Sequence, residues 1–136
     1  MPSPILAPET QAAVRLALAA SWSARTSVCY NPSIAPLSYG QCAPTAVVIH
    51  EHFGGEILRT ELVRHDGHLV RHFYNRIDGQ RLDFTEDQLA IPDYWAKVEY
   101  TDIPSSPSEA TTEMMPGQLD EMRRAFRSAL NVANAV

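Results

Sequence analysis

Apolar positions along the chain change their period several times, and each change marks an element. Over residues 8–22, Val14, Leu18 and Trp22 recur at i, i+4 and i+8, the spacing that puts one apolar stripe on a helix. Pro8 suits the first turn of that helix, where a missing N–H costs nothing. Residues 1–7 precede the pattern and are expected to fray. SARTSVCYNPSIAPLSYGQ, residues 23–41, has no period and is rich in Ser, Pro and Asn. A structureless stretch of that length inside a domain is uncommon and often functional. A second helix is predicted over 43–53, with Pro44 in its first turn and Gly54-Gly55 as its stop.

Beyond Gly55 the period shortens. EILRTELV (56–63) reads as a strand and RHDGH (64–68) as a turn. LVRHFYNRI (69–77) and QRLDFT (80–85) read as two strands joined at Asp78-Gly79, a strong hairpin signal. TEDQ (85–88) fits a capping box opening a short helix that Pro92 ends. YWAKVEYTDI (94–103) reads as one more strand, and residues 104–117 as a flexible connector. Residues 118–133 form a last helix, with Leu119, Met122, Phe126, Ala129 and Leu130 on one face. Helices and strands are segregated, so the fold class is α+β, with the N-terminal and central helices packed on an antiparallel sheet. One domain is expected over 1–136, with a core at 8–103, the connector at 104–117 and the C-terminal helix at 118–133.

The bulk numbers narrow the function. In 136 residues, 45% are apolar, 20% are charged and the net charge is −5. An acidic balance argues against nucleic acid, which attracts clustered Lys and Arg. No run of about 18 apolar residues exists to span a membrane. The Ala- and Leu-rich N-terminal stretch lacks a basic n-region and is interrupted by Arg15, so it reads as an amphipathic helix instead of a signal peptide. A cytoplasmic location follows as the default expectation. Cys29 and Cys42 are the two cysteines; without a CxxC pair, and in a reducing compartment, they are expected to be free thiols.

Cys42 is the residue with most chemistry to offer. It stands at the predicted start of a helix, where unpaired N–H groups and the macrodipole favour a thiolate. The same donors suit an oxyanion, and Gln41 adds a side-chain amide. The bland alternative is a small apolar residue packed under the loop. A nucleophilic cysteine needs a base. His50 and His52 lie on the same helix, about 12–15 Å down its axis, and cannot serve. His65 and His68 flank the Asp66-Gly67 turn and are expected to be exposed. His72 differs. With a two-residue turn at Asp78-Gly79, Tyr74 pairs with Asp83 and His72 with Thr85. His72 and Asp83 are then diagonal neighbours on one face, about 7 Å between Cα atoms. Asp83 is placed to orient the imidazole and stabilise its cation, as the third member of a triad does. Its bland alternative is a turn carboxylate; that of His72 is a strand residue bonded to backbone. Trp22 reads as core or cleft wall, and Asn75, on the opposite strand face from His72, as a structural hydrogen-bonder or cleft contact. His68, His72, Cys42 and Asp83 are ligand types that zinc accepts, but His68-x3-His72 suits a helix and this stretch reads as strand. No metal and no cofactor are therefore assigned.

Three blocks in order, SWSARTS, GQCAPTAVVIHEHFGGEILRT and GHLVRHFYNRIDGQRLDFTEDQL, resemble the YunG-like family of small bacterial proteins over roughly residues 16–89. The cysteine at a helix start followed by His and Asp on successive strands is similar to the papain and transglutaminase superfamily. That resemblance implies a minimal papain-like fold, with Cys42 as nucleophile, His72 as general base and acid, and Asp83 as the orienting residue. It implies a contribution to the oxyanion from Gln41, although papain-type enzymes place that glutamine further upstream. The expected function is cysteine-dependent acyl transfer on a small-molecule or peptide substrate. The alternative is a non-catalytic ligand- or partner-binding module on the same fold. The oligomeric state is left open.

Overall fold

The sheet is built on one long hairpin. In the computed structural model, which describes residues 6–33 and 35–134, β1 (Glu56–Arg64) and β2 (Leu69–Ile77) pair antiparallel from Glu56↔Arg76 to Val63↔Leu69. The second hairpin follows at Asp78-Gly79, where φ is +51° and +78°. Two positive φ values are what a two-residue turn matched to strand twist requires. It returns the chain as β3 (Gln80–Leu82), with Asn75 opposite Leu82. The register is the predicted one, but the strand is shorter. QRLDFT leaves the ladder after Leu82 because the Asp83 carboxylate takes the Thr85 N–H at 3.1 Å, bending the chain into a turn.

Sheet order is β3-β2-β1-β4, with β5 also on β1. The predicted strand 94–103 is in fact two: β4 (Trp95–Lys97) pairs one end of β1 and β5 (Ile103–Ser105) the other. Between them the backbone leaves the edge, and Thr60 of β1 fills the gap with its hydroxyl, which accepts from Thr101 N–H at 3.1 Å. Asp102 there has φ +54°. The excursion carries Tyr100 toward Asp83. The expected connector 104–117 is likewise more ordered than its composition suggests. It holds β5 and α3 (Pro107–Thr111), whose N-cap Ser106 accepts from Glu109 N–H.

Three long helices cover the sheet. α1 spans Pro8–Ser21 and closes on Trp22, whose N–H bonds Leu18 O. Leu6 is buried and its carbonyl accepts from Gln11 Nε2 at 2.9 Å, so the expected fraying does not reach it; residues 1–5 of that expectation lie outside the described residues. α2 (Cys42–Phe53) is buried on all sides over Ala43–Ile49. Ala43, Ala46 and Val47 pack on Phe73 and Ile57 of the sheet, while Val48 and Ile49 face the cluster that includes Val14 and Leu18 of α1. Met122 and Phe126 of α4 (Gln118–Asn134) complete that cluster, with Leu119, Ala129 and Leu130 beside them, as their spacing predicts. The fold is α+β, with helices packed on a curled antiparallel sheet. No helix among the described residues is long and apolar enough to cross a membrane.

Candidate active site

Local structure places each group. Gln41 is the N-cap of α2 and Cys42 its first residue, so the thiol sits where backbone donors lack intrahelical partners. Gly40, with φ +75°, makes the approach. A Cβ there would lie 2.6 Å from Cys29 Cβ and 2.7 Å from Ser27 Oγ, so only glycine fits both the backbone and the space. The Gly40 N–H donates to Gln88 Oε1 at 3.2 Å, tying the Cys42 loop to the 3₁₀ helix Glu86–Ala90.

His72 and Asp83 meet as the register predicts. Nε2 lies 2.6 Å from Asp83 Oδ2, and both side chains are almost fully buried. The carboxylate has a full set of donors. Oδ2 also accepts from Tyr100 Oη at 2.6 Å, and Oδ1 accepts the N–H and hydroxyl of Thr85. Burial alone pushes a carboxyl pKa up; here the hydrogen bonds from His72, Tyr100 and Thr85 outweigh it and hold Asp83 below its usual value. For His72, burial pulls the pKa down, but the hydrogen bond to Asp83 and the nearby Cys42 side chain raise it to about 10. Beside the Asp83 carboxylate, the imidazolium is the form this environment favours. With Nε2 committed to Asp83, Nδ1 is the ring nitrogen that faces Gln88 Nε2, at 3.3 Å.

Cys42 and His72 line one cavity of about 240 Å³, together with Gln88, Cys29 and Tyr94. Both cysteines are free thiols, Cys29 exposed and Cys42 half-buried. Cys42 Sγ also lies 4.0 Å from Arg71 O.

Three expected cleft residues do not line that cavity. Gln41 is fully buried and its Nε2 donates to Ser23 O at 3.3 Å; its Oε1 has no hydrogen-bond partner among the described residues. Its side chain is buried beneath the loop and away from the cavity lining. Trp22 is core, donating from Nε1 to Thr45 Oγ1 at 2.9 Å. Asn75 donates to Ala46 O at 3.0 Å, bridging β2 to α2 on the strand face opposite His72. The other histidines of the chain lie outside the cavity. His50 Nδ1 lies 3.1 Å from Gly55 O, His52 sits edge-on against Phe126, and exposed His68 pairs with Asp66. Among the described residues, no group of three or more His, Cys, Asp or Glu is arranged to hold a metal.

Gln88 and Tyr100 escaped the sequence reading. The expected capping box does not form, because Thr85 Oγ1 serves Asp83 and accepts from Gln88 Nε2 at 2.9 Å instead of capping the helix. That leaves Gln88 Nε2 3.3 Å from His72 Nδ1. Tyr100 lies in a stretch of strand-like composition, and only the break between β4 and β5 turns its hydroxyl inward.

A buried His–Asp pair facing a cysteine at a helix start, on an antiparallel sheet packed by helices, defines the class of site. Comparison with known proteins then gives the family. The profile described as "YunG protein" matches residues 10–131, so the chain belongs to the YunG family. It is similar to the "Uncharacterized protein YunG" of Bacillus subtilis (strain 168), at 37% identity over 118 residues, which is 87% of this chain and 92% of that protein. The match runs well past residue 89 and takes in most of α4. No solved structure matches the chain.

Proposed function

We propose that this chain is a cysteine-dependent acyl-transfer enzyme, an amide or thioester hydrolase or transferase, and that its fold is a minimal relative of the papain and transglutaminase superfamily. The observation that carries the reading is the buried His72 ring, bonded to Asp83 on one side and facing Cys42 on the other. Cys42 gives its thiol proton to His72, the thiolate sulfur attacks the carbonyl carbon, and the C–S bond forms as the carbonyl oxygen becomes an oxyanion beside the first N–H groups of α2. His72 delivers its Nδ1 proton to the departing amine or thiol as the old bond breaks. Water or an amine then attacks the acyl-enzyme, gives its proton to His72 and releases Cys42. Asp83 stays ionised and holds the ring.

Alkylation by iodoacetamide, followed by mass spectrometry from pH 5 to 9, tests this. Cys42 is expected to react readily well below pH 8, and at least about tenfold more slowly after His72→Ala. Exposed Cys29 serves as the internal reference. A Cys42 no faster than Cys29, and indifferent to the His72 change, would sink the enzyme reading. It would favour a non-catalytic binding module, for which one observation speaks: Gln88 Nε2 lies 3.3 Å from His72 Nδ1, where its N–H can donate only to a neutral ring.

A further inference from the structure

The cavity beside Cys42 follows the sheet, and strand register gives its direction. Thr60 stands opposite His72, and Leu62 opposite Val70. Side chains alternate along a strand, so residues 60, 62 and 64 share the face of His72. Leu62 and Val70 therefore make an apolar floor next to His72, and Arg64 comes after it. Four residues at about 3.3 Å each put Arg64 roughly 13 Å along the sheet from the imidazole. All of these except Thr60 line the cavity. Its far wall is aromatic. The hydroxyls of Tyr39 and Tyr94 hydrogen bond to each other, and Tyr94 packs edge-on against Trp95 at 4.6 Å.

Arg64 lines that end of the cavity, and also a neighbouring pocket with His65, Asp66 and Asp93. Its guanidinium lies over the Tyr94 ring, 5.5 Å from the centroid. Asp66, which does not line the cavity, pairs with Nη2. Nε and Nη1 have no acceptor among the described residues, and a guanidinium presents its donors in a fork that matches a carboxylate. The nearby Asp66 charge leaves room for a monoanion and opposes a dianion such as phosphate. The volume, about 240 Å³, is below the roughly 300–1,000 Å³ typical of drug-sized ligands, so a short chain fits.

We infer that the acyl donor has a short apolar segment, seated on Leu62 and Val70, and ends in a carboxylate bound by Arg64. The reacting end of this donor rests on the acyl-transfer reading above; the carboxylate subsite rests on Arg64 and the floor.

The probe is 6-(iodoacetamido)hexanoate, compared with its methyl ester. In both, Cys42 sulfur displaces iodide and forms a thioether. At low concentration the acid is expected to alkylate Cys42 about tenfold faster than the ester, a factor typical of one charge-assisted bond. In Arg64→Gln the acid-to-ester ratio falls to about one, and Arg64→Lys keeps part of it. The ratio cancels any change in the intrinsic reactivity of Cys42 and any partial loss of fold. Equal rates for acid and ester in the wild type, or a preference that survives Arg64→Gln, overturn the inference. Calorimetry with the unreactive 6-acetamidohexanoate separates the two readings. Binding that Arg64→Gln abolishes, with Cys42 inert, keeps the carboxylate subsite and sinks acyl transfer. A reactive Cys42 without acid preference does the reverse.

Discussion

His72 and Asp83 stand eleven residues apart in the chain and meet at 2.6 Å between Nε2 and Oδ2, with side chains only 2% and 3% exposed. The Asp78-Gly79 turn sets the register that brings them onto one face, and the break after Leu82 closes the diagonal separation into a bond. The ring is stacked on Tyr74 at 5.9 Å between centroids, and Tyr74 Oη donates to Asp102 Oδ1 at 2.7 Å. Arg81 pairs with Asp102 and lies over the Tyr100 ring. The pair is thus fixed from both strands and from the loop that separates β4 from β5.

Stability should follow the titration of this pair. His72 rises from 6.5 to about 10 on folding, so its contribution is complete below about pH 6.5 and is lost as pH climbs through about 10. Asp83 is depressed below 3.8, so its contribution is present above that value and is lost as pH falls through the folded pKa. Urea unfolding from pH 3 to 10.5 is expected to show a decline on the alkaline side. In His72→Gln that alkaline decline should flatten. An unchanged alkaline limb would mean that His72 is not the group responsible.

Tyr100→Phe removes one donor from the Asp83 carboxylate. A hydrogen bond to a charged group contributes about 1.5–3 kcal/mol, and a loss in the lower part of that range is expected by urea denaturation at pH 7. With less support for its ionised form, the Asp83 pKa moves up. The acid limb of the stability curve should therefore shift to higher pH. A limb that stays in place would show that Tyr100 is packing and not electrostatic support.

Asn75→Ala separates structural from cleft roles. The Asn75 amide bridges to Ala46 O in the buried seam between β2 and α2, so its loss should cost about 1–3 kcal/mol. Because Asn75 does not line the cavity, the rate of Cys42 alkylation at pH 7 should stay within about twofold of wild type. A large drop in that rate with little loss of stability would return Asn75 to the site.

Much of the frame was legible because its signals are local. Pro44 and Gly54-Gly55 bound α2, and Asp78-Gly79 fixes a register. Parity along two strands then brings His72 and Asp83 together before any tertiary contact is considered. What could not be read depends on competition between partners. Thr85 has the sequence of a helix cap but spends its hydroxyl on Asp83. Gln41 precedes the cysteine but turns its amide to Ser23 O, whereas Gln88, distant in sequence, reaches His72. Tyr100 has strand composition and lies off the ladder.

Gly40 offers a test of how far the Cys42 loop is built to one shape. At φ +75° any L side chain is strained, by about 1–2 kcal/mol. Gly40→Ala adds a steric conflict, since its Cβ would meet Cys29 Cβ at 2.6 Å and Ser27 Oγ at 2.7 Å. Relieving it moves the backbone and stretches the 3.2 Å bond from Gly40 N–H to Gln88 Oε1. Gly67 is the control: its φ is +88°, but nothing lies within 4 Å of an added Cβ. Gly67→Ala should cost about 1–2 kcal/mol from strain alone. Gly40→Ala should cost about 3 kcal/mol or more, because strain and overpacking add. Cys42 alkylation should slow in Gly40→Ala and not in Gly67→Ala, since only the first displaces the residue two before the thiol and its link to Gln88. Equal losses in the two variants, with Cys42 reactivity untouched in both, would show that the loop adapts and that the glycine is there for its backbone angle alone.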